Sequence, residues 1–130
     1  MSIHPHWADA IMDGRKRVEF RRARFSRQIS HVVVYATSPI RRVVGYFEVA
    51  GVTAAEPETL WQQFADVGGI EAEAFRGYFE GAESGVAISV GKVQELSAPV
   101  ELTAILPFAA VPQSFCYADA EVIPELDRLA

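Results

Sequence analysis

Ionic side chains are concentrated between residues 14 and 22, where the sequence GRKRVEFRR places five cations and one carboxylate around two apolar residues. Cations on a strand face can bind phosphate groups, and a carboxylate among them can orient a guanidinium or accept a hydrogen bond from a base edge. In a strand over residues 17–22, period-two alternation places Val18 and Phe20 on one face and Arg17, Glu19 and Arg21 on the other. Two interpretations are open: a solvated edge strand that carries charge for solubility, or one wall of a ligand-binding cleft.

The position of Lys16 depends on the turn before this strand. Pro5 suits the first turn of a helix, where its missing N–H costs nothing, and Gly14 suits the left-handed position that ends one. The chain therefore reverses at Gly14, and Lys16 lies in or just after the turn. In a regular strand Lys16 and Glu19 would point to opposite faces, so they converge only if the turn redirects the lysine.

The net charge of -5 conceals an asymmetry along the chain. Residues 1–45 contain nine Lys or Arg against three acids, whereas residues 46–130 contain three bases against fourteen acids. A molecule with one basic side could meet a polyanion there. Base stacking would then need aromatic side chains near the cations, and the candidates are Trp7, Phe20 and Tyr35. Burial in the core is the alternative for these three residues.

Apolar periodicity predicts an α+β protein with short strands. The length of 130 residues suits one domain. A glycine inside a strand often marks a bulge, as we expect at Gly45. The predicted elements are a short strand ending at Ile3, a helix from Pro5, strands over 17–22, 32–36, 43–49 and 86–93, helices from Pro57 and Glu71, a last edge strand from Pro99 to Leu106, and a tail of uncertain type from Glu121. Such a set indicates a compact domain, residues 1–130, built on a small, partly closed barrel with inserted helices.

Several classes of site lack support in the sequence. Cys116 is the only cysteine, which excludes an internal disulfide and a multi-cysteine zinc site. The three histidines, at positions 4, 6 and 31, show no metal-ligand spacing, so we expect no metal and no cofactor. No apolar run reaches the length of a membrane span, and the first residues do not resemble a signal peptide. We therefore expect a cytoplasmic protein with no membrane association.

The chain resembles the ASCH domain, a branch of the PUA-like superfamily. The resemblance rests on Gly14-x-Lys16-x-x-Glu19-x-Arg21 after a helix and on further segments up to about Tyr117: Thr37-Ser38-Pro39, Val44 to Val49, Leu60-Trp61, Tyr78-Phe79-x-Gly81, Val90 to Val93 and Pro112 to Phe115. It implies a PUA-like pseudo-barrel with a cleft beside the Gly-x-Lys-x-x-Glu-x-Arg segment. It also implies binding of single-stranded RNA or a nucleotide, in a role coupled to transcription or translation.

The resemblance also indicates which residues line the cleft. Lys16, Glu19 and Arg21 occupy the motif positions, with Gly14 as the turn. The full set of candidate RNA-binding residues is Lys16, Glu19, Arg21, Arg17, Trp7, Ser38, Arg41 and Gln113.

Two alternatives to a binding module remain. Some relatives hydrolyse the amide of acetylated cytidine with a lysine, a threonine three residues later and a glutamate after the next helix. Here Lys16 matches the lysine, Glu19 stands at the threonine position, and the region of Val67 and Gly68 offers no matching acid. A nucleoside hydrolase or ribonuclease would use Lys16 as acid and Glu19 as base. The other alternative is a domain whose ionic strand binds an acidic protein partner.

Overall fold

A computed structural model describes residues 1–25, 28–105 and 122–130. In these ranges the chain forms a five-stranded sheet with helices on both sides. The elements are β1 (Ser2–Ile3), α1 (Pro5–Met12), β2 (Val18–Arg21), β3 (His31–Ala36), β4 (Arg42–Ala55), α2 (Pro57–Phe64), α3 (Ala72–Tyr78), β5 (Gly85–Val100) and α4 (Val122–Arg128), with 3₁₀ turns at Ala65–Val67 and Leu102–Ala104. No helix in the described ranges is long and apolar enough to cross a membrane.

The strands follow the order β1-β3-β4-β5-β2. β1 runs parallel to β3, and the other neighbours are antiparallel. The sheet does not close, because β1 and β2 are its two edges. One guanidinium joins these edges, since Nη1 of Arg21 on β2 donates to the Ser2 carbonyl on β1 at 3.2 Å. In the described ranges the sheet is not closed by backbone pairing, and the contact between its edge strands is consistent with the predicted partly closed barrel.

Bulges interrupt the register of the two long strands. The β4–β5 register shifts between Val43 and Gly45, between Phe47 and Val49, and between Val49 and Gly51, and such insertions bend a strand. The predicted bulge at Gly45 is confirmed. A Cβ there would collide with the Gln94 carbonyl and lie 2.7 Å from Met12 Sδ, so only glycine allows this close packing.

Each face of the sheet has its own core. The face that carries Val86 and Ile88 packs against α1 and is called the inner face. The opposite, outer face at β2 and β5 packs against α2 and α3 through Val18, Phe20, Ala87, Leu60, Phe75 and Phe79. Helix α4 contributes to a third cluster, around Tyr35, Val43, Tyr46 and Leu126. Phe75 and Phe79, together with Phe20, are the large aromatic members of the outer core.

Two predicted boundaries were wrong. Over residues 99–105, which the structure describes, the predicted separate edge strand does not form: β5 continues to Val100, where it pairs with Val43, and a 3₁₀ turn follows. The return strand predicted over 43–49 continues to Ala55, because β5 supplies partners along its whole length. Read locally, Pro99 indicated a break between two strands. In the structure, bulges allow one long strand to bend and continue past it. Leu106, Pro112 to Phe115, Cys116, Tyr117 and Glu121 lie outside the described residues.

Candidate functional site

The turn between α1 and β2 fixes the direction of Lys16. Gly14 adopts φ 87°, the left-handed region that favours glycine. The chain then returns along α1, where the Lys16 N–H donates to the Ala10 carbonyl at 2.9 Å, and the Arg17 N–H donates to the Val67 carbonyl at 2.7 Å. The turn thus places Lys16 outside the alternation of β2, which begins at Val18.

The structure brings Lys16, Glu19 and Arg21 together. Lys16 Nζ lies 3.6 Å from Glu19 Oε1, and Arg21 Nη1 lies 3.3 Å from Glu19 Oε2. We call these three residues the ion triad. Its geometry is the one that the sequence required for a common site, since the turn redirects the lysine toward the glutamate.

The ion triad is buried. Lys16 is 1% exposed and Glu19 3% exposed, and the Arg21 side chain is 11% exposed. The interpretation as a solvated face was therefore wrong, although β2 is an edge strand. Glu19 and Arg21 lie on the inner face of the sheet. In an isolated edge strand this face would be exposed to water, but here helix α1 and strand β1 cover it.

Two cations contact one carboxylate within the ion triad. Both contacts lie in a poorly solvated place. Desolvation lowers the pKa of Lys16, and the nearby Glu19 carboxylate opposes that shift.

Lys16 Nζ has further partners on all sides. It donates to the Gly68 carbonyl and lies 5.5 Å from the ring centroids of both Trp7 and Phe20. Cation–π contacts of this kind partly replace lost hydration. The region of Val67 and Gly68, where a relative's catalytic glutamate would stand, thus offers backbone carbonyls: one accepts from Lys16 and the other from Arg17.

Two of the three stacking candidates belong to the core. Phe20 and Tyr35 are each 5% exposed and packed in separate apolar clusters, so a base could not reach either ring. Trp7 is half-buried beside Lys16 and is the candidate that the structure leaves next to the ion triad.

Tyr78 is a site residue that sequence reasoning missed. Burial raises the pKa of the Tyr78 hydroxyl, the Arg21 charge lowers it, and the Glu19 charge raises it. The Tyr78 carbonyl also accepts from Arg22 Nη1 at 3.3 Å. Tyr78 ends α3, far from the basic segment in sequence, so no local pattern could have assigned it here.

The exposed cations surround the ion triad. Arg15, Arg17, Arg22 and Arg24 are exposed. Arg17 Nη2 is anchored to the Val90 carbonyl at 3.1 Å, while Arg15 pairs with Asp13 at 2.6 Å. These guanidinium groups are accessible to a polyanion, unlike the Lys16 ammonium beneath them.

The remaining predicted residues lie elsewhere or outside the described ranges. Ser38 and Arg41 are exposed in the turn between β3 and β4, where the neighbouring Thr37 N–H donates to the Ile3 carbonyl at 3.0 Å. They lie beside the end of β1, one residue beyond the carbonyl that Arg21 contacts. Gln113 falls among residues 106–121 and is outside the described residues. In the ranges that are described, no three His, Cys, Asp or Glu residues are grouped as metal ligands.

The ion triad limits the chemistry that is possible. Both Glu19 oxygens are engaged by cations, and Lys16 is only 1% exposed, so neither group is presented to a substrate. With these contacts intact the pair can position groups and supply positive charge. Proton transfer to a substrate would first require the contacts to open.

Sequence and structure comparisons point to one family. The model of the ASCH domain matches residues 1–105. The chain is 29% identical to the ASCH domain-containing ribonuclease of Zymomonas mobilis, over 99% of this chain and 89% of that protein. The crystal structure of ASCH from the same organism superposes with a TM-score of 0.88 at 29% identity, covering 99% of this chain and 92% of that one. A segment of the large ribosomal subunit protein uL22 of Ureaplasma parvum is 26% identical over 79% of this chain, but that match spans 33% of the protein. The predicted α+β fold of PUA-like type is confirmed.

Proposed function

Because this chain belongs to the ASCH domain family, we propose that it binds RNA, with the strand along the basic segment around β2. The observation that carries this proposal is the group of exposed arginines, Arg15, Arg17, Arg22 and Arg24, that lies around the buried ion triad. The name of the Zymomonas mobilis relative, a ribonuclease, favours RNA over other polyanions. Single-stranded RNA suits the site because the exposed arginines can hold its phosphates and the half-buried Trp7 ring beside Lys16 can stack an unpaired base.

Each member of the site has a distinct task in this proposal. Arg17 and Arg22 contact phosphates from the surface, since their side chains are exposed. Arg21 is fixed by Glu19 and by the Ser2 carbonyl, so its guanidinium is oriented before RNA arrives. Lys16 adds charge from below, and Trp7 offers the accessible ring.

The test is a fluorescence anisotropy titration with a short labelled single-stranded RNA at several potassium chloride concentrations. The variant combines Arg17→Gln and Arg22→Gln. We expect its plot of log affinity against log salt to become shallower by about 0.7 for each phosphate contact removed. The control combines Arg76→Gln and Arg128→Gln, two exposed arginines that pair with glutamates elsewhere. If the salt-dependence slopes of the two double variants are equal, the RNA does not bind along the basic segment.

Ribonuclease activity is a second candidate, favoured by the similarity to the Zymomonas mobilis ribonuclease over nearly the whole chain. Labelled RNA incubated with the protein, with Mg²⁺ and separately with EDTA, should give shorter products on a gel. If the Lys16 and Glu19 pair is catalytic, Lys16→Met abolishes cleavage while the protein stays folded. If cleavage persists in Lys16→Met, the catalytic groups lie elsewhere. The absence of products from the unmodified protein would leave binding alone.

A protein partner would be distinguished by competition. If the natural ligand is an acidic protein bound to the basic segment, polyglutamate and RNA of equal charge should displace it at similar concentrations. Our proposal predicts that RNA competes for this surface at lower concentration than polyglutamate of equal charge, because oriented guanidinium groups match phosphate geometry.

A further inference from the structure

A groove of about 590 Å³ opens on the inner face of the sheet. One wall is the segment after β2, with Arg24, Phe25, Gln28 and Ile29, and residues 49–52 and 54 of β4 form the floor. Val86 of β5 lies at its base. The volume lies within the range of small-molecule sites, and such sites often occupy the mouths of β-barrels.

Sheet register connects this groove to the ion triad. Arg21 pairs with Val86 on β5, and Val86 pairs with Ala54 on β4. In the next row, Glu19 pairs with Ile88, which pairs with Val52. Side chains directly opposite each other share a face, so the ionic side chains and the groove floor lie on the same face, two strand spacings or about 10 Å apart.

The floor of the groove is apolar and accessible. Val52 is 48% exposed, and Ala54 is also exposed, although both are on the inner face that elsewhere forms the core. Phe25, Ile29 and Val49 pack against the inner cluster at its border. Exposed apolar surface at the end of a core indicates a place for a partly apolar ligand.

Charge selects the kind of ligand. Among the described residues that line this groove, Arg24 is the one that carries a charge. A second groove of about 400 Å³, between α2 and α3, is lined by Glu56, Glu58 and Glu83 with one arginine, Arg76. A polyanion would be attracted to the first groove and repelled by the second.

From these observations we infer that the groove binds a nucleobase of the RNA strand whose phosphates lie along β2. A base is a flat apolar body with polar edges. It fits an apolar floor with the Phe25 ring at its border, while the Gln28 amide and the Arg24 guanidinium can bond its edge or the adjoining phosphate. The inference rests on the proposed function and adds recognition of the base to recognition of the backbone.

The test compares two oligomers of equal length by fluorescence anisotropy: single-stranded RNA, and the same ribose-phosphate backbone without bases. We expect the protein to bind the base-containing oligomer at least about fivefold more tightly, as base stacking provides. Val52→Trp fills the groove and should abolish that difference without changing the salt dependence. The control is Leu129→Trp, an exposed residue whose carbonyl bonds Ser97 near the opposite end of β5.

A second variant covers the case in which Val52→Trp disturbs the fold. Arg24→Gln changes only an exposed group at the rim and should reduce the preference for the base-containing oligomer severalfold. In an amide-detected NMR titration with uridine monophosphate, the Gln28 side-chain signals and the Gly51 amide should shift in the unmodified protein.

The outcomes separate the two proposals. If the protein binds both oligomers equally and the Gln28 and Gly51 signals do not shift, the groove does not hold a base, while the basic segment still binds the backbone. If the protein binds neither oligomer, both proposals fail. If Val52→Trp and Arg24→Gln both keep the preference for the base-containing oligomer, the base binds outside this groove and the inference is wrong.

Discussion

The two faces of β2 show how differently apolar and ionic side chains become buried. On the outer face, Val18 and Phe20 enter an apolar cluster, where the Phe20 ring meets Phe75 edge-on at 4.9 Å. On the inner face, Glu19 and Arg21 are nearly as well buried but depend on specific partners. The apolar face needs only a surface of matching shape, whereas the ionic face needs an opposite charge at the correct distance.

This difference bears on function. An apolar face that is satisfied by packing has nothing left to offer a ligand. The ionic face holds charged groups, and the exposed arginines around it remain accessible to a ligand. The following predictions test whether the two faces do contribute in these separate ways.

The largest effect is expected at the centre of the ion triad. Glu19→Leu leaves two buried cations without their carboxylate and should lower the free energy of unfolding by about 3 to 5 kcal/mol. Urea denaturation followed by circular dichroism measures the change. Glu58→Leu, at an exposed carboxylate, is the control and should change stability little.

Combining Glu19→Leu with Lys16→Met sharpens this test. The second substitution removes one of the two stranded cations, so the double variant should be more stable than Glu19→Leu alone. A double-mutant cycle with a coupling free energy of about zero would show that the two residues do not interact, contrary to the buried ion pair.

A smaller effect is expected on the apolar face. Phe20→Leu keeps the site hydrophobic but loses the ring contacts with Phe75 and Phe79, at a cost of about 1 to 1.5 kcal/mol in urea denaturation. The control is Val52→Ala, at an exposed valine. A loss as large as that for Glu19→Leu would mean that the apolar face also depends on a specific geometry.

The pH dependence of the free energy of unfolding should reveal the lowered pKa of Lys16. Its folded pKa is lowered from 10.5, so between that lowered pKa and 10.5 the unfolded chain binds more protons than the folded one. Stability from this group therefore rises with pH across that window. Unfolding free energies measured from neutral to alkaline pH should contain this rise in the unmodified protein.

The matched variant isolates the contribution of the lysine. Lys16→Met has no ammonium to desolvate, so its stability profile should lack the rise. Parallel profiles for the two proteins would show that Lys16 keeps its ordinary pKa and is better solvated than the structure indicates.

The smallest effect is expected at an exposed ion pair. Arg76 Nε lies 3.3 Å from Glu58 Oε1, which is the distance between Arg21 Nη1 and Glu19 Oε2. Unlike that pair, the Arg76 and Glu58 side chains are both more than half exposed. Arg76→Gln should change the free energy of unfolding by less than about 1 kcal/mol, because water screens the pair. A loss comparable with that of Glu19→Leu would show that burial is not what distinguishes the ion triad.

Much of the fold followed from local patterns. Alternation assigned the residues of β2 to the correct faces, Gly14 predicted the reversal before it, and Gly45 predicted a bulge. The last edge strand was predicted wrongly because Pro99 resembles a break when it is read alone. In the sheet, pairing with β4 keeps that residue within β5, since long-range hydrogen bonds outweigh a local preference.

The candidate site was less accessible to local reasoning. Lys16, Glu19 and Arg21 were identified as a group, but their burial was not, because α1 and β1 cover them through tertiary contacts. Tyr78 was missed for the same reason. The stacking roles suggested for Phe20 and Tyr35 conflicted with their places in the core, and a sequence alone cannot decide between a core ring and an accessible one.

The sequence by itself determined the faces of β2, the turn that feeds it and the concentration of cations around it. These properties depend on bond geometry and on residue type, which act over a few neighbouring residues. Only the tertiary structure decided that the ionic face lies inside, that the Gly68 carbonyl accepts from Lys16, and that a groove with an arginine rim continues the same face. Those outcomes depend on which distant segments share a surface, because desolvation and pairing are set by neighbours in space.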